Sequence, residues 1–274
     1  MRGGVVAVIK VVLLAPINNS LYARLVAYGL TKEKDVELAG IIVRSHWNIQ
    51  RFRSEFSRDG ARLIKKIYQK LVVGDKRFSG QEANNLAALA QQWRLPYKSL
   101  KEIAQSLNIP YHVVPDHNHP NSLQMLQGLK LDVILFTGGG LLRKPLLEIP
   151  RLGILNCHTG ILPQYRGMDV VEWTAAEERI NSVGFGATLH FMDRGVDTGP
   201  ILMKKTIALK KGATFEIIRA ELETVMVELM IEGVRGLQAG TLTPQLQNPE
   251  EGRQFFVMHP RVKASAEDRL VKQN

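Results

Sequence analysis

Asn156 and His158 stand two residues apart at the end of the apolar run Gly153 to His158, and Asp197 lies in the turn-rich stretch Gly195-Val-Asp-Thr-Gly-Pro200. Alternation along a strand puts Asn156 and His158 on one face and Cys157 on the other, which separates the thiol from the imidazole. An amide donor, an imidazole and a carboxylate together suit attack by a neutral amine on an acyl carbon. Asn156 and protonated His158 would stabilise the developing oxyanion, while Asp197 raises the His158 pKa and helps remove the amine proton. Taken singly, Asn156 and His158 could equally be satisfied polar groups in a core. The loop carrying Asp197, able to bring a carboxylate against the imidazole, tips the reading toward chemistry.

Other candidates carry less. Asp197-Thr198-Gly199 spells the aspartic protease triplet, but that chemistry needs two such carboxylates and one chain offers one, so a second copy would have to supply the other. Gly138, Gly139 and Gly140 end a strand with no Gly-Lys-Ser/Thr after them, which excludes a phosphate-binding loop. Asp116, His117, Asn118 and His119 form a polar loop whose spacing matches no standard zinc motif; it reads as an acceptor-contacting or solvated loop, and no metal is expected. Asn18, Asn19 and Ser20 precede a helix, where they could hold the phosphate of an acceptor at the helix N-terminus or simply cap it.

The elements that must position these groups follow from periodicity. Val5 to Leu14 and Val36 to Val43 read as buried strands, with a helix through about Tyr28 between them. From Gln81 onward helices near Gln81 to Trp93, Leu100 to Leu107 and Ser122 to Leu129 alternate with strands Tyr111 to Val114, Asp132 to Thr137 and Gly153 to His158. That alternation predicts a mostly parallel α/β sheet flanked by helices, with ligand sites beyond the C-terminal strand ends. Thr159 to Gly167 reads as a loop, Gly184 to Met192 and Ile201 to Ile207 as a hairpin-like pair, and Ala213 to Leu237 as a long amphipathic helix.

Composition bounds the answer. With 274 residues, 45% of them hydrophobic, the chain can bury a core without disulfides or a structural metal, and its single cysteine excludes a disulfide framework and any Cys-based zinc site. Lys and Arg number 36 against 26 Asp and Glu, a net charge of +10. Ten of those cations lie between Arg44 and Arg77, opposed only by Glu55, Asp59 and Asp75. This stretch reads as a basic helical insertion with an apolar stripe from Ile49 to Leu71. It could be a solvated face, a homodimer contact, or an RNA or membrane footprint; the expectation is that the stripe packs on the body or on a second subunit. Arg2 before the apolar residues Val5 to Ile17 imitates a secretory signal, but Lys10 interrupts it. No stretch reaches the roughly 18 apolar residues of a membrane span, so a cytoplasmic protein is expected.

Two separated motifs carry a family resemblance. Asn156-Cys-His158-Thr-Gly-Ile-Leu-Pro163-Gln-Tyr165-Arg166-Gly167, followed by Ala187-Thr-Leu-His190-Phe-Met-Asp193-Arg-Gly195-Val-Asp197-Thr-Gly199-Pro-Ile201, resembles the folate-dependent formyltransferase family, specifically from Asp132 to Leu202 and weakly before it. The resemblance implies a Rossmann-like fold, Asn156, His158 and Asp197 as catalytic residues, 10-formyltetrahydrofolate as formyl donor, and no metal. It implies a folate wall from Gly138, Gly139, Gly140, Leu141 and Leu142 with Asp193 and Val196. The acceptor side would draw on Asn18, Asn19, Ser20, Tyr165, Arg166 and Gly167.

The chain departs from the family pattern at Thr159-Gly160, where a small-residue pair ending in Ser is usual, and at Met168-Asp169, where a pair such as Ala-Pro is usual. The first leaves the mechanism intact and the second falls where an acceptor pocket could be shaped. Residues 1–247 would form the catalytic domain, including the 44–77 insertion, and 248–274 a C-terminal extension. After Gln247 only 27 of the 274 residues remain, short of the C-terminal domain that methionyl-tRNA formyltransferases add. The expected acceptor is therefore the primary amine of a small molecule, such as an amino sugar carried on a nucleotide. Methionyl-tRNA as acceptor, a hydrolase in which water replaces the amine, and a non-enzymatic RNA-binding module are the alternatives.

Overall fold

A computed structural model of the chain describes residues 8–45 and 85–273. The basic insertion expected at 44–77, apart from Arg44 and Ser45, lies outside the described residues, as do the first residues of the first expected strand and of the helix expected from Gln81.

Seven strands form one sheet in the order β3-β2-β1-β4-β5-β7-β8. The first five, β1 (Ile9–Ala15), β2 (Val36–Arg44), β3 (Tyr111–Val114), β4 (Val133–Phe136) and β5 (Gly153–His158), pair in parallel; β7 (Phe185–Phe191) and β8 (Ile201–Ile207) run antiparallel at one side. The mostly parallel sheet read from the sequence is therefore present. Residues of β1 alternate between two cores: Val11, Leu13 and Ala15 on one face, Val12 and Leu14 on the other. A strand covered on both faces needs apolar residues at every position, which is why β1 reads as an apolar run from Val11 to Ala15.

On the first face lie α1 (Leu21–Leu30), α2 (Leu86–Gln92), α3 (Leu100–Leu107) and a long helix, Phe215–Gln238. The second face is covered by α4 (Pro120–Gly128) and the short α5 (Lys144–Leu147). Each of the first three helices on the first face begins with a side-chain cap, from Ser20, Asn85 and Ser99. Strand order reverses between β1 and β4, so the chain opens a crevice there at the carboxyl ends of the strands.

Part of the C-terminal half was not legible as regular structure, although the paired strands and the long helix expected there are present. Tyr165–Gly167, expected as loop, is a short strand, β6, paired in parallel with β9 (Arg253–Phe255). Between them come α6 (Val170–Ala176) and α7, the long helix at 215–238, and α8 (Pro260–Gln273) then packs against α6. Buried Glu172 on α6 is held by Arg219 of α7 and Lys263 of α8, the latter at 3.2 Å. Met258 N–H donates to Asp169 at 2.8 Å and the Trp173 indole donates to the Phe256 carbonyl at 2.9 Å. Residues 253–273 are thus packed against β6 and α6. No helix among the described residues is long and apolar enough to cross a membrane.

Candidate active site

In the antiparallel ladder of β5 and β7, Asn156 stands opposite His190 and His158 opposite Thr188. Alternation then puts all four on one face of the sheet, while Cys157 and Leu189 go to the core on the other. Asn156 and His158 therefore share a side, as read from the sequence, and burial pushes the Cys157 thiol far above its ordinary range, which makes it inert. Thr188 fixes the exit of β5: its hydroxyl donates to the Gly160 carbonyl at 2.6 Å and accepts from Leu162 N–H at 3.2 Å.

Asp197 enters from the β7–β8 connection and lies between the two imidazoles, with Oδ2 3.4 Å from His158 Nδ1 and Oδ1 3.5 Å from His190 Nε2. Its Oδ2 also accepts the Gly167 N–H at 3.0 Å. Gly167 is required for this: φ is 95°, and an added Cβ would lie 2.2 Å from the Phe255 carbonyl oxygen. Burial on its own would raise the Asp197 carboxyl, but the His190 contact, the charge of both imidazoles and the Gly167 N–H together bring it down to about 2. It is a carboxylate at every working pH.

His158 departs from the expectation of a raised pKa. Asp197 and the Tyr165 carbonyl do raise it, but burial, the largest influence, together with repulsion from His190, leaves it below an ordinary histidine. Its Nε2 lies 2.9 Å from the Tyr165 carbonyl and its Nδ1 faces the carboxylate, so both nitrogens meet acceptors. A neutral ring in that position satisfies one of them and gains a second partner on taking up a proton. Both nitrogens are thus spent on the protein, and the ring holds the Asp197 carboxylate in place.

His190, which the sequence reading left without a role, sets the amide. Its Nδ1 is 2.8 Å from the Phe191 carbonyl, and its Nε2 lies 3.2 Å from Asn156 Nδ2 and 3.5 Å from Asp197 Oδ1.

The other expected site residues fall in different places. Gly138, Gly139 and Gly140 all have positive φ and follow β4 at the crevice between β1 and β4. At Gly139 a Cβ would lie 2.6 Å from His117 Nε2. Leu141 is 82% exposed and Leu142 packs on the second core. Asn118 clamps this loop, donating to the Leu141 carbonyl at 2.9 Å and accepting from Arg143 N–H at 2.7 Å. It was read only as part of a contacting or solvated loop. His117 is buried edge-on to Phe136 and, through burial and the nearby Arg44, lowered to about 4; His119 instead accepts from Asn121 N–H as the cap of α4. Among the described residues no group of three or more His, Cys, Asp or Glu is placed to hold a metal.

Asp193 accepts from Gly195 N–H at 2.9 Å and from the Thr198 hydroxyl at 2.6 Å, so it folds the loop that carries Asp197; Val196 is partly exposed on it. Asn18 accepts from Lys101 N–H and the Tyr111 hydroxyl, Ser20 caps α1, and Asn19 is exposed. The Tyr165 ring is buried on Phe255 with its hydroxyl on Glu177, so only its carbonyl reaches the site. Arg166 donates to the Gly252 carbonyl at 3.3 Å.

A family model described as formyl transferase matches residues 79–234. The methionyl-tRNA formyltransferase of Trichlorobacter lovleyi is 32% identical over 153 residues, 56% of this chain and 48% of that protein. That of Clostridioides difficile is 30% identical over 161 residues, 58% of this chain and 50% of that protein. The chain thus spans about half the length of the curated relatives it matches. Among solved structures, glycinamide ribonucleotide transformylase 1 from Symbiobacterium toebii superposes with a TM-score of 0.55 at 18% identity, covering 88% of this chain and 94% of that one. An N-formyltransferase from Helicobacter canadensis, in complex with folinic acid and dTDP-3-aminofucose, gives 0.56 at 15% identity over 96% of this chain and 80% of that one. At these identities the superpositions establish the fold alone.

Proposed function

The chain belongs to the formyl transferase family, and from that premise we propose that it moves the formyl group of 10-formyltetrahydrofolate to a primary amine. The observation that carries this reading is the cluster Asn156, His158, His190 and Asp197 on one face at the ends of β5 and β7. When bound, the folate supplies an acyl carbon on nitrogen as the group to be transferred. The loop from Gly138 to Leu141 suits a flat apolar ring: three residues without side chains, then an exposed leucine.

Within this reading Asn156 Nδ2, oriented by His190, donates to the oxygen that gains charge as the amine nitrogen bonds to the formyl carbon. The Asp197 carboxylate takes up the proton that the amine sheds, and His158, 3.4 Å from its Oδ2, holds it in place. The same proton then goes to the nitrogen that leaves as its bond to the formyl carbon breaks.

For the acceptor, we infer a small primary amine of the amino-sugar-nucleotide kind. The support is that β9 and the segment to Met258 lie against β6 and Met168, forming a wall directly beside the Asp197 contact. A second reading, methionyl-tRNA, is favoured by the relatives of 30–32% identity. Mass spectrometry of reactions containing donor and, in turn, amino-sugar nucleotides, glycinamide ribonucleotide and charged tRNA tests both. Formylation of a small amine at useful rates is the expected result; formylated methionyl-tRNA alone would overturn the small-amine reading.

A further inference from the structure

We propose that Gln247 is a positioning residue for Asp197, its side-chain amide clamping the loop so that the carboxylate stays between the two imidazoles. This rests on the formyl-transfer reading for what Asp197 does, but the geometry of the clamp is independent of it. Asp197 has φ 54°, in the left-handed region that is uncommon for a residue with a Cβ. On its side-chain end it is held by Gly167 N–H. On its backbone end it is held by Gln247, whose Nε2 donates to the Asp197 carbonyl at 2.9 Å and to the Gly199 carbonyl at 2.6 Å.

Those two acceptors fix which end of the amide faces the loop, since an oxygen there would oppose two carbonyl oxygens. Gln247 is itself anchored. Two residues earlier, Gln245 exchanges both backbone hydrogen bonds with Ile201 at 2.8 Å, which pins the segment at the start of β8. The clamp therefore ties the C-terminal segment to the backbone that brackets Thr198, at the point where a small rotation would swing the carboxylate off both His158 and His190.

The test compares the parent with Gln247→Leu, which keeps bulk and loses the donor, and Gln247→Glu, which keeps length and turns the donor into an acceptor. Leu246→Ala, at an 88% exposed position, serves as the control. Three quantities are measured: kcat and KM with 10-formyltetrahydrofolate and an accepted amine, the melting temperature, and the titration of the His158 ring by NMR. The expected result is a kcat about tenfold lower in both Gln247 variants, with KM within about twofold of the parent, Glu at least as impaired as Leu, and the control unchanged. The His158 titration, which Asp197 and His190 both face, should move further down, because the carboxylate that favours its charged form is no longer fixed beside it. Folded variants with unchanged kcat, or a fall in kcat and melting temperature with His158 titrating as in the parent, would overturn the proposal. Should the parent transfer no formyl group, the reading of function fails, whereas the His158 shift still decides the clamp.

Discussion

The loop after β4 and the loop between β7 and β8 flank the same end of the sheet, yet one is shaped by backbone and the other by side chains. After β4, three successive positive-φ glycines lay bare a stretch of main chain, and Asn118 holds it by a carbonyl and an N–H. Between β7 and β8, Asp193, Thr198, Gln247 and Gly167 all bond to the loop, and its one outward-reaching carboxylate meets two imidazoles. The contrast separates shape from charge: the first loop offers a surface for a flat ligand, the second fixes groups whose protonation matters. Substitutions in the second should act on turnover, and those in the first on donor affinity.

The largest effect should come from Asp197→Asn, which keeps the shape and removes the charge; kcat is expected to fall by roughly a thousandfold, within the range of general acid-base contributions. Steady-state kinetics with an accepted amine check it, and a loss below tenfold would place the base elsewhere. Asn156→Ala should cost on the order of a hundredfold to a thousandfold in kcat with little change in donor KM, as expected when one donor to a developing oxyanion is lost. A change confined to KM would make Asn156 a binding residue instead.

Acid should expose the other loop. His117, buried behind Gly139, is lowered to about 4, so between about pH 6.5 and pH 4 the unfolded chain binds a proton that the folded one does not. Stability is therefore full above that window and falls through it as pH drops, by roughly 3 kcal/mol from this residue. Denaturant melts of the parent and His117→Leu across pH 4 to 7 should show a flatter dependence in the variant, with His158 supplying part of what remains. Equal slopes would mean that His117 is charged in the folded state. Smallest should be Gly139→Ala, which meets His117 Nε2 at 2.6 Å at a φ of 127°. It should cost about 1–3 kcal/mol of stability and raise donor KM while sparing kcat.

Legibility in the sequence followed the same division. The strands β3 and β5 and the helix α3 lie where apolar periodicity and capping residues predict them, because each is specified locally. Asn156, His158 and Asp197 were legible from residue type and strand alternation, and the structure brings them together. His190 was not, since its place depends on the antiparallel register of β5 with β7. Gln247 acts through contacts 50 and 48 positions away and Asn118 through contacts 23 and 25 positions away, which no local pattern encodes. β6, β9 and α8 escaped for a related reason: three-residue strands carry almost no periodicity, and Tyr165, read as an acceptor contact, is buried by a strand nearly ninety residues away. The direction of the His158 shift turned on burial, which spacing does not reveal.

The central claim is that this cluster transfers a formyl group to an amine. Mass spectrometry of the amine after incubation with 10-formyltetrahydrofolate, run with the parent and Asp197→Asn and with a donor-only control assayed for formate, tests it most directly. The account predicts formylated amine with the parent, little or none with the variant, and slow formate release without amine. Formate released from donor alone as fast as with amine, or a variant as active as the parent, would contradict it.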